Sequence, residues 1–158
     1  MRRRDFIKVV AGSASFWPLA APAQQLKMPV IGFLRSTSLA VSTPMVTGFR
    51  QGLTDAGLTE GQNVAIEYHW SADEYDRLPG FAADLVRRGV SVIVASTSPA
   101  VPVAKAASST TPIVFSMGGD PVALGYVASL SQPGGNLTGV TTLNVELGPN
   151  RLLKKLGR

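Results

Sequence analysis

The stretch VIGFLRSTS, residues 30–38, decides how the rest of the chain is read. Val30 to Leu34 are apolar without alternation, and the run stops at the polar loop Arg35-Ser36-Thr37-Ser38. Such a run suits a strand buried on both faces of a parallel sheet. Downstream, Val46, Phe49, Leu53 and Ala56 fall on one helical face. Thr43 offers a cap, Pro44 a first helical position and Gly57 a left-handed C-terminal end. Residues 30–57 therefore read as one strand–helix unit.

The same alternation continues. Val64 to Tyr68 is β-branched and alternating, as a sheet edge requires. Leu78, Phe81, Ala82, Leu85 and Val86 mark a helix with Pro79 in its first turn and Gly89 at its end. Val90 to Ala95 reads as a third strand, followed by a short helix from Pro99 to about Ala107. Ile113 to Phe115 reads as a fourth strand, with a brief helix through Leu124, Val127 and Leu130 after it. Pro133 to Asn136 is a turn, and Leu137 to Leu143 a fifth strand. Strands alternating with helices imply an α/β fold with a doubly wound parallel sheet.

Composition narrows the function. Hydrophobic residues are 45% of the 158 and charged residues 16%, enough apolar material for a packed core. There is no cysteine, which excludes disulfides, thiolate metal sites and cysteine nucleophiles. The net charge of +5 is terminal: residues 1–23 carry four bases and one acid, and the last eight residues carry four bases and no acid. Residues 24–150 hold seven bases and nine acids, so the fold lacks the basic stripe that a nucleic-acid partner requires.

The N-terminus MRRRDFIKVVAGSASFWPLAAPAQQ reads as an address. A charged start, a short apolar middle and Ala21-Pro22-Ala23 match a cleaved signal peptide. The apolar stretch is too short and interrupted for a spanning helix, so no stable membrane anchor is expected after cleavage. Arg3, Arg4, Phe6 and Lys8 resemble the twin-arginine export signal, although the usual Ser or Thr before the pair is Arg2 here. Residues 1–23 are therefore expected to be a signal peptide cut after Ala23, with the twin-arginine export machinery as a partner and the periplasm as destination.

Ligands of open α/β sheets sit beyond the carboxyl ends of the strands. That rule selects the loops holding Arg35, Ser36 and Thr37; Ser96, Thr97 and Ser98; Ser116 and Asp120; and Thr142. Their hydroxyls and backbone suit a small polar ligand, with Arg35 for a carboxylate and Asp120 for an amine. The competing reading is that these Ser and Thr residues cap the following helices. Other chemistries fit poorly. The dinucleotide glycine fingerprint and the P-loop are absent, and no acidic cluster follows the first strand. His69 is the only histidine, which makes neither a zinc site nor a triad. Asp73, Glu74 and Asp76 precede a helix and suit its dipole.

Four strings together resemble a known family: GFLRSTS; GFRQGLTDAGLTEGQNVAIEYHWSADEYDRLPGFAADLVRRGVSVIVAS; TPIVF; and GGDPVALGYVASLSQPGGNLTGVT. They are similar to the substrate-binding components of ABC importers, in the branch associated with aromatic amino acids. The resemblance runs from about Val30 to Leu147 and is most specific from Asp120 to Gly139. It implies a flavodoxin-like lobe of a type I periplasmic binding protein, a small-molecule ligand, an ABC permease as partner, no catalysis and no cofactor. On this reading residues 24–144 form the N-terminal α/β lobe, and residues 145–158 open a second lobe that is missing, so that the chain is truncated. Two rivals stay open: a ligandless interaction module or nonfunctional remnant, and a Rossmann-like enzyme.

Overall fold

The computed structural model describes residues 28–142. The leader residues Arg3, Arg4, Phe6, Lys8 and Ala23, and the segment 145–158, lie outside the described residues. Within them the elements are β1 (Val30–Arg35), α1 (Leu39–Asp55), β2 (Ala65–Trp70), α2 (Leu78–Arg88), β3 (Val92–Ala95), α3 (Ala100–Ala107), β4 (Ile113–Gly118) and β5 (Leu137–Thr142). A single 3-10 turn, Tyr75–Arg77, leads into α2.

All five strands are parallel, in the order β2-β1-β3-β4-β5. The chain moves outward from β1 to one edge, then crosses back to build the other side. The strand order thus reverses between β1 and β3, whose neighbouring loops splay apart and leave a crevice. β2 lies at an edge, as its alternation required.

The two faces are covered unequally. On one, Phe33 meets Phe49 of α1 with ring centroids 5.2 Å apart, and Tyr68 and Trp70 of β2 at 5.5 and 5.4 Å. On the other, α2 and α3 lay Leu78, Ala82, Leu85, Val101 and Ala104 over Leu34, Ile93, Ile113 and Phe115 to form the main core. Removing Leu85 or Ile93 from water contributes roughly 1.5–3 kcal/mol each. Gly32 sets how closely α2 approaches: a Cβ there would stand 2.7 Å from Leu85 Cδ2.

Helix ends follow local chemistry. Gly57 and Gly89 adopt φ of +81° and +68°, and the next residue's N–H reaches back to the carbonyl of Leu53 or Leu85. This closes both helices as the sequence requires. The start of α1 differs from expectation. It begins at Leu39, five residues before Pro44, which lies inside the helix. Pro44 has no N–H for the Ala40 carbonyl, and the Thr43 hydroxyl donates there at 3.4 Å and to Leu39 O at 3.1 Å. Thr43 is thus an interior substitute donor, not a cap.

The expected helix through Leu124, Val127 and Leu130 does not form. Leu124 N–H donates to Asp120 O, but Gly125 takes φ +70° and Tyr126 N–H returns to Pro121 O, ending the segment after one turn. Only Val127 of the three is buried. Asn136 then spends its side-chain amide on the carbonyls of Ser108 and Thr111, at 3.0 and 2.7 Å, which sets the entry of β5 beside β4.

Candidate ligand-binding site

The site forms where β1 and β3 end. Arg35 is the last residue of β1, and its side chain turns across the crevice toward β3. Its Nε donates to Thr37 Oγ1 at 2.7 Å, and Nη1 donates to the Ser96 carbonyl at 2.8 Å and to Ser96 Oγ at 3.0 Å. The direction of the next bonds follows from proton counting. Ser42 Oγ gives its single proton to Ser38 O at 2.7 Å, so Thr37 must be the donor in its 2.9 Å contact with Ser42. A directed chain runs from the guanidinium through Thr37 and Ser42 to the backbone at the start of α1.

Every partner of Arg35 is neutral. Among the described residues the ion pairs are Arg50–Glu60, Arg77–Glu74, Arg87–Asp84, Arg88–Glu67 and Arg88–Asp84, and none involves Arg35. Partial burial lowers its pKa from the usual arginine value, which leaves it cationic at any physiological pH. The cation is positioned, and among the described residues it has no ion-pair partner.

The remaining loops are tied to one another. Ser36 is buried, and its N–H donates to Thr97 Oγ1 at 3.2 Å. Its carbonyl accepts from Ser71 Oγ at 3.0 Å and from Asp73 N–H at 2.6 Å, which fixes the loop after β2. Ser98 Oγ accepts from Gly118 N–H at 3.2 Å and lies 3.3 Å from Gly118 O, joining the β3 and β4 loops. The competing capping role is not what these side chains perform: neither α1 nor α3 has a side-chain cap, and neither has an acid in its first turn.

These loops enclose an open polar cleft of about 380 Å³. Arg35, Ser36 and Thr37 line it from β1, Ser96, Thr97 and Ser98 from β3, and Ser116 and Thr142 from the far strands. Eight of the nine residues expected from the sequence therefore come together. Asp120 does not join them. Its Oδ1 accepts from the N–H groups of Val122 and Ala123, at 2.9 and 3.2 Å, and so caps the turn that follows. An Asp before Pro at a strand end is a turn former, and that local role takes the carboxylate that the sequence reading gave to an amine.

One whole wall, the loop after β2, was missed. Asp73 and Tyr75 line the cleft from the loop after β2. The signal was available in the rule itself. β2 runs to Trp70, two residues beyond its expected end, so the next loop also leaves the carboxyl end of a strand. His69 lies away from this, packed on Phe81 of α2 with ring centroids 4.9 Å apart.

The family described as ABC transporter substrate binding protein matches residues 20–150. A tyrosine-binding protein of Clostridioides difficile (strain R20291) is 31% identical over 94 residues, covering 60% of this chain and 27% of that protein. Among solved structures, the ligand-free, open form of a substrate-binding protein with adhesive properties from Clostridium difficile superposes with a TM-score of 0.69 at 26% identity. That match covers 80% of this chain and 43% of the other. An ABC domain from Streptococcus pneumonia in complex with L-Trp gives 0.65 at 27% identity, over 72% and 38% of the two chains. The chain thus spans less than half the length of each of these proteins. Its five-stranded parallel sheet and its sequence place it in one family: the chain belongs to the ABC transporter substrate-binding proteins.

Proposed function

We propose that the chain binds a small amino-acid-like solute in the polar cleft and serves an ABC importer. One observation carries the reading: Arg35 is held by three hydrogen bonds to neutral partners and forms no ion pair among the described residues. A fixed guanidinium without an ion-pair partner, beside a polar cavity, suits a carboxylate. The N-termini of α1 and α3, both without side-chain caps or first-turn acids, add to the anion preference. The tyrosine-binding relative and the neighbour solved with L-Trp support an aromatic amino acid as the solute.

The test is calorimetric titration of the full chain with L-tyrosine and L-tryptophan. Binding is expected, and Arg35→Ala should weaken it about ten- to hundredfold, the loss expected for a charge-assisted hydrogen-bonded pair. A folded chain that takes up neither amino acid would refute the reading.

Export belongs to the same proposal. Residues 1–23 direct the protein through the twin-arginine machinery to the periplasm, where an ABC permease receives the solute, and residues 145–158 lead into a second lobe that faces the cleft. Replacing Arg3 and Arg4 with lysine should hold the protein in the cytoplasm, and the exported form should begin at Gln24. Unchanged export of the Lys-Lys variant would remove the twin-arginine assignment.

A further inference from the structure

We infer that the loop after β2 is the selectivity wall of the cleft, with Asp73 receiving the ligand's ammonium group and Tyr75 its aromatic ring. This inference rests on the amino-acid reading above and names residues for the half of the ligand that Arg35 does not explain.

The first argument is charge. Asp73 and Arg35 line the same cavity, and they do not pair with each other. Opposite charges sharing a small cleft ordinarily collapse together unless something holds them apart. Here Arg35 is tied to Thr37 and Ser96, whereas Asp73 is held through its backbone by the Ser36 carbonyl. An α-amino acid carries its two charges a few ångströms apart, and a cation and an anion fixed on separate walls match that pattern.

The second argument is backbone conformation. Ala72 and Asp73 stand consecutively at φ of +50° and +66°. Left-handed conformations at non-glycine residues cost of order 1–3 kcal/mol and persist only where the surroundings impose them. Glycine at position 73 would take this conformation more easily, so fold stability does not call for aspartate there. The carboxylate also makes no hydrogen bond within the described residues, unlike Asp84 or Asp120, whose carboxylates are engaged. The residue is held in a left-handed conformation, which aspartate tolerates better than most side chains but less easily than glycine, and it lines the cavity.

The third argument is the ring. Tyr75 is 55% exposed on the cleft wall and takes part in no ring stack among the described residues, in contrast to Phe33, Tyr68 and Trp70. A flat apolar face beside two charges selects a ligand that is zwitterionic at one end and planar at the other.

Calorimetry on the full chain separates these roles with three probes: L-tyrosine, L-leucine and 3-(4-hydroxyphenyl)propionate, which keeps the carboxylate and ring but lacks the amine. Wild type should prefer L-tyrosine over the deaminated acid by at least about tenfold. Asp73→Asn should abolish that preference by weakening L-tyrosine alone, leaving the deaminated acid unchanged. Asp73→Gly should lose the same preference with a melting temperature equal to or above wild type. Tyr75→Ala should erase the preference for L-tyrosine over L-leucine. Binding by wild type with the amine preference intact in Asp73→Asn would overturn the inference while leaving the cleft reading standing. A lower melting temperature for Asp73→Gly with undiminished L-tyrosine affinity would do the same, by showing the side chain to be structural. Failure of wild type to bind any probe would instead bring down the cleft reading, and this inference with it.

Discussion

At the scale of single residues, the fold is most sensitive where a missing side chain sets a distance. Gly32 lies in the middle of β1 directly beneath Leu85, which has no solvent exposure into which it could retreat. Gly32→Ala should therefore push α2 outward and cost about 1–3 kcal/mol, read as a lowered midpoint in urea unfolding with an unchanged slope. A neutral substitution would mean that α2 is packed less tightly than its contacts imply. The site residues were legible to different degrees for the same kind of reason. Arg35 and the hydroxyls of residues 36–37 and 96–98 could be placed because they follow apolar runs whose ends are unambiguous. Asp120 and Asp73 could not be ranked by sequence, since both are acids in polar loops. What separates them is where each carboxylate finds a donor: Asp120 finds two backbone N–H groups close by in the chain, and Asp73 finds none among the described residues.

At the scale of elements, α2 carries most of the surface electrostatics. Asp84 is held below the usual carboxylate range, first by the hydrogen bond from Arg88 and then by the charges of Arg88 and Arg87. Arg88 Nε stands 2.8 Å from Asp84 Oδ2. In the carboxylate range, around pH 4, the unfolded chain binds a proton at this position more readily than the folded one does. The stabilisation is therefore complete at neutral pH and disappears as pH falls through the folded value. Asp84→Asn should lower the melting temperature at pH 7 and flatten its decline toward pH 3; parallel acid limbs for variant and wild type would contradict this. Boundaries were the least legible part of the elements. Nothing local says that Thr43 will supply the donor that lets α1 run through Pro44, or that Gly125 will end a helix one turn after it starts. Both outcomes depend on backbone bonds that close only once neighbouring turns are in place.

For the molecule as a whole, strand order was legible as a class but not as an arrangement. Alternating apolar runs imply a parallel sheet, whereas the sequence does not say that α1 is the one described helix on its face. One consequence is that, among the described residues, the sheet beyond α1 is partly uncovered, with Val114 39% and Val140 68% exposed on the face opposite α3. Val140→Thr should change stability by less than about 0.5 kcal/mol in thermal unfolding, as for an ordinary surface position. A loss well above that would show that another segment covers this face. The last strand carries a different implication. Thr142 of β5 lines the cleft, and its carbonyl accepts from Gly119 N–H at 3.4 Å, so the loop after β4 is tied to β5 at the rim of the cavity. A rim braced by main-chain bonds keeps its shape when side chains are exchanged, so substitutions of the lining residues alter recognition without reshaping the cavity.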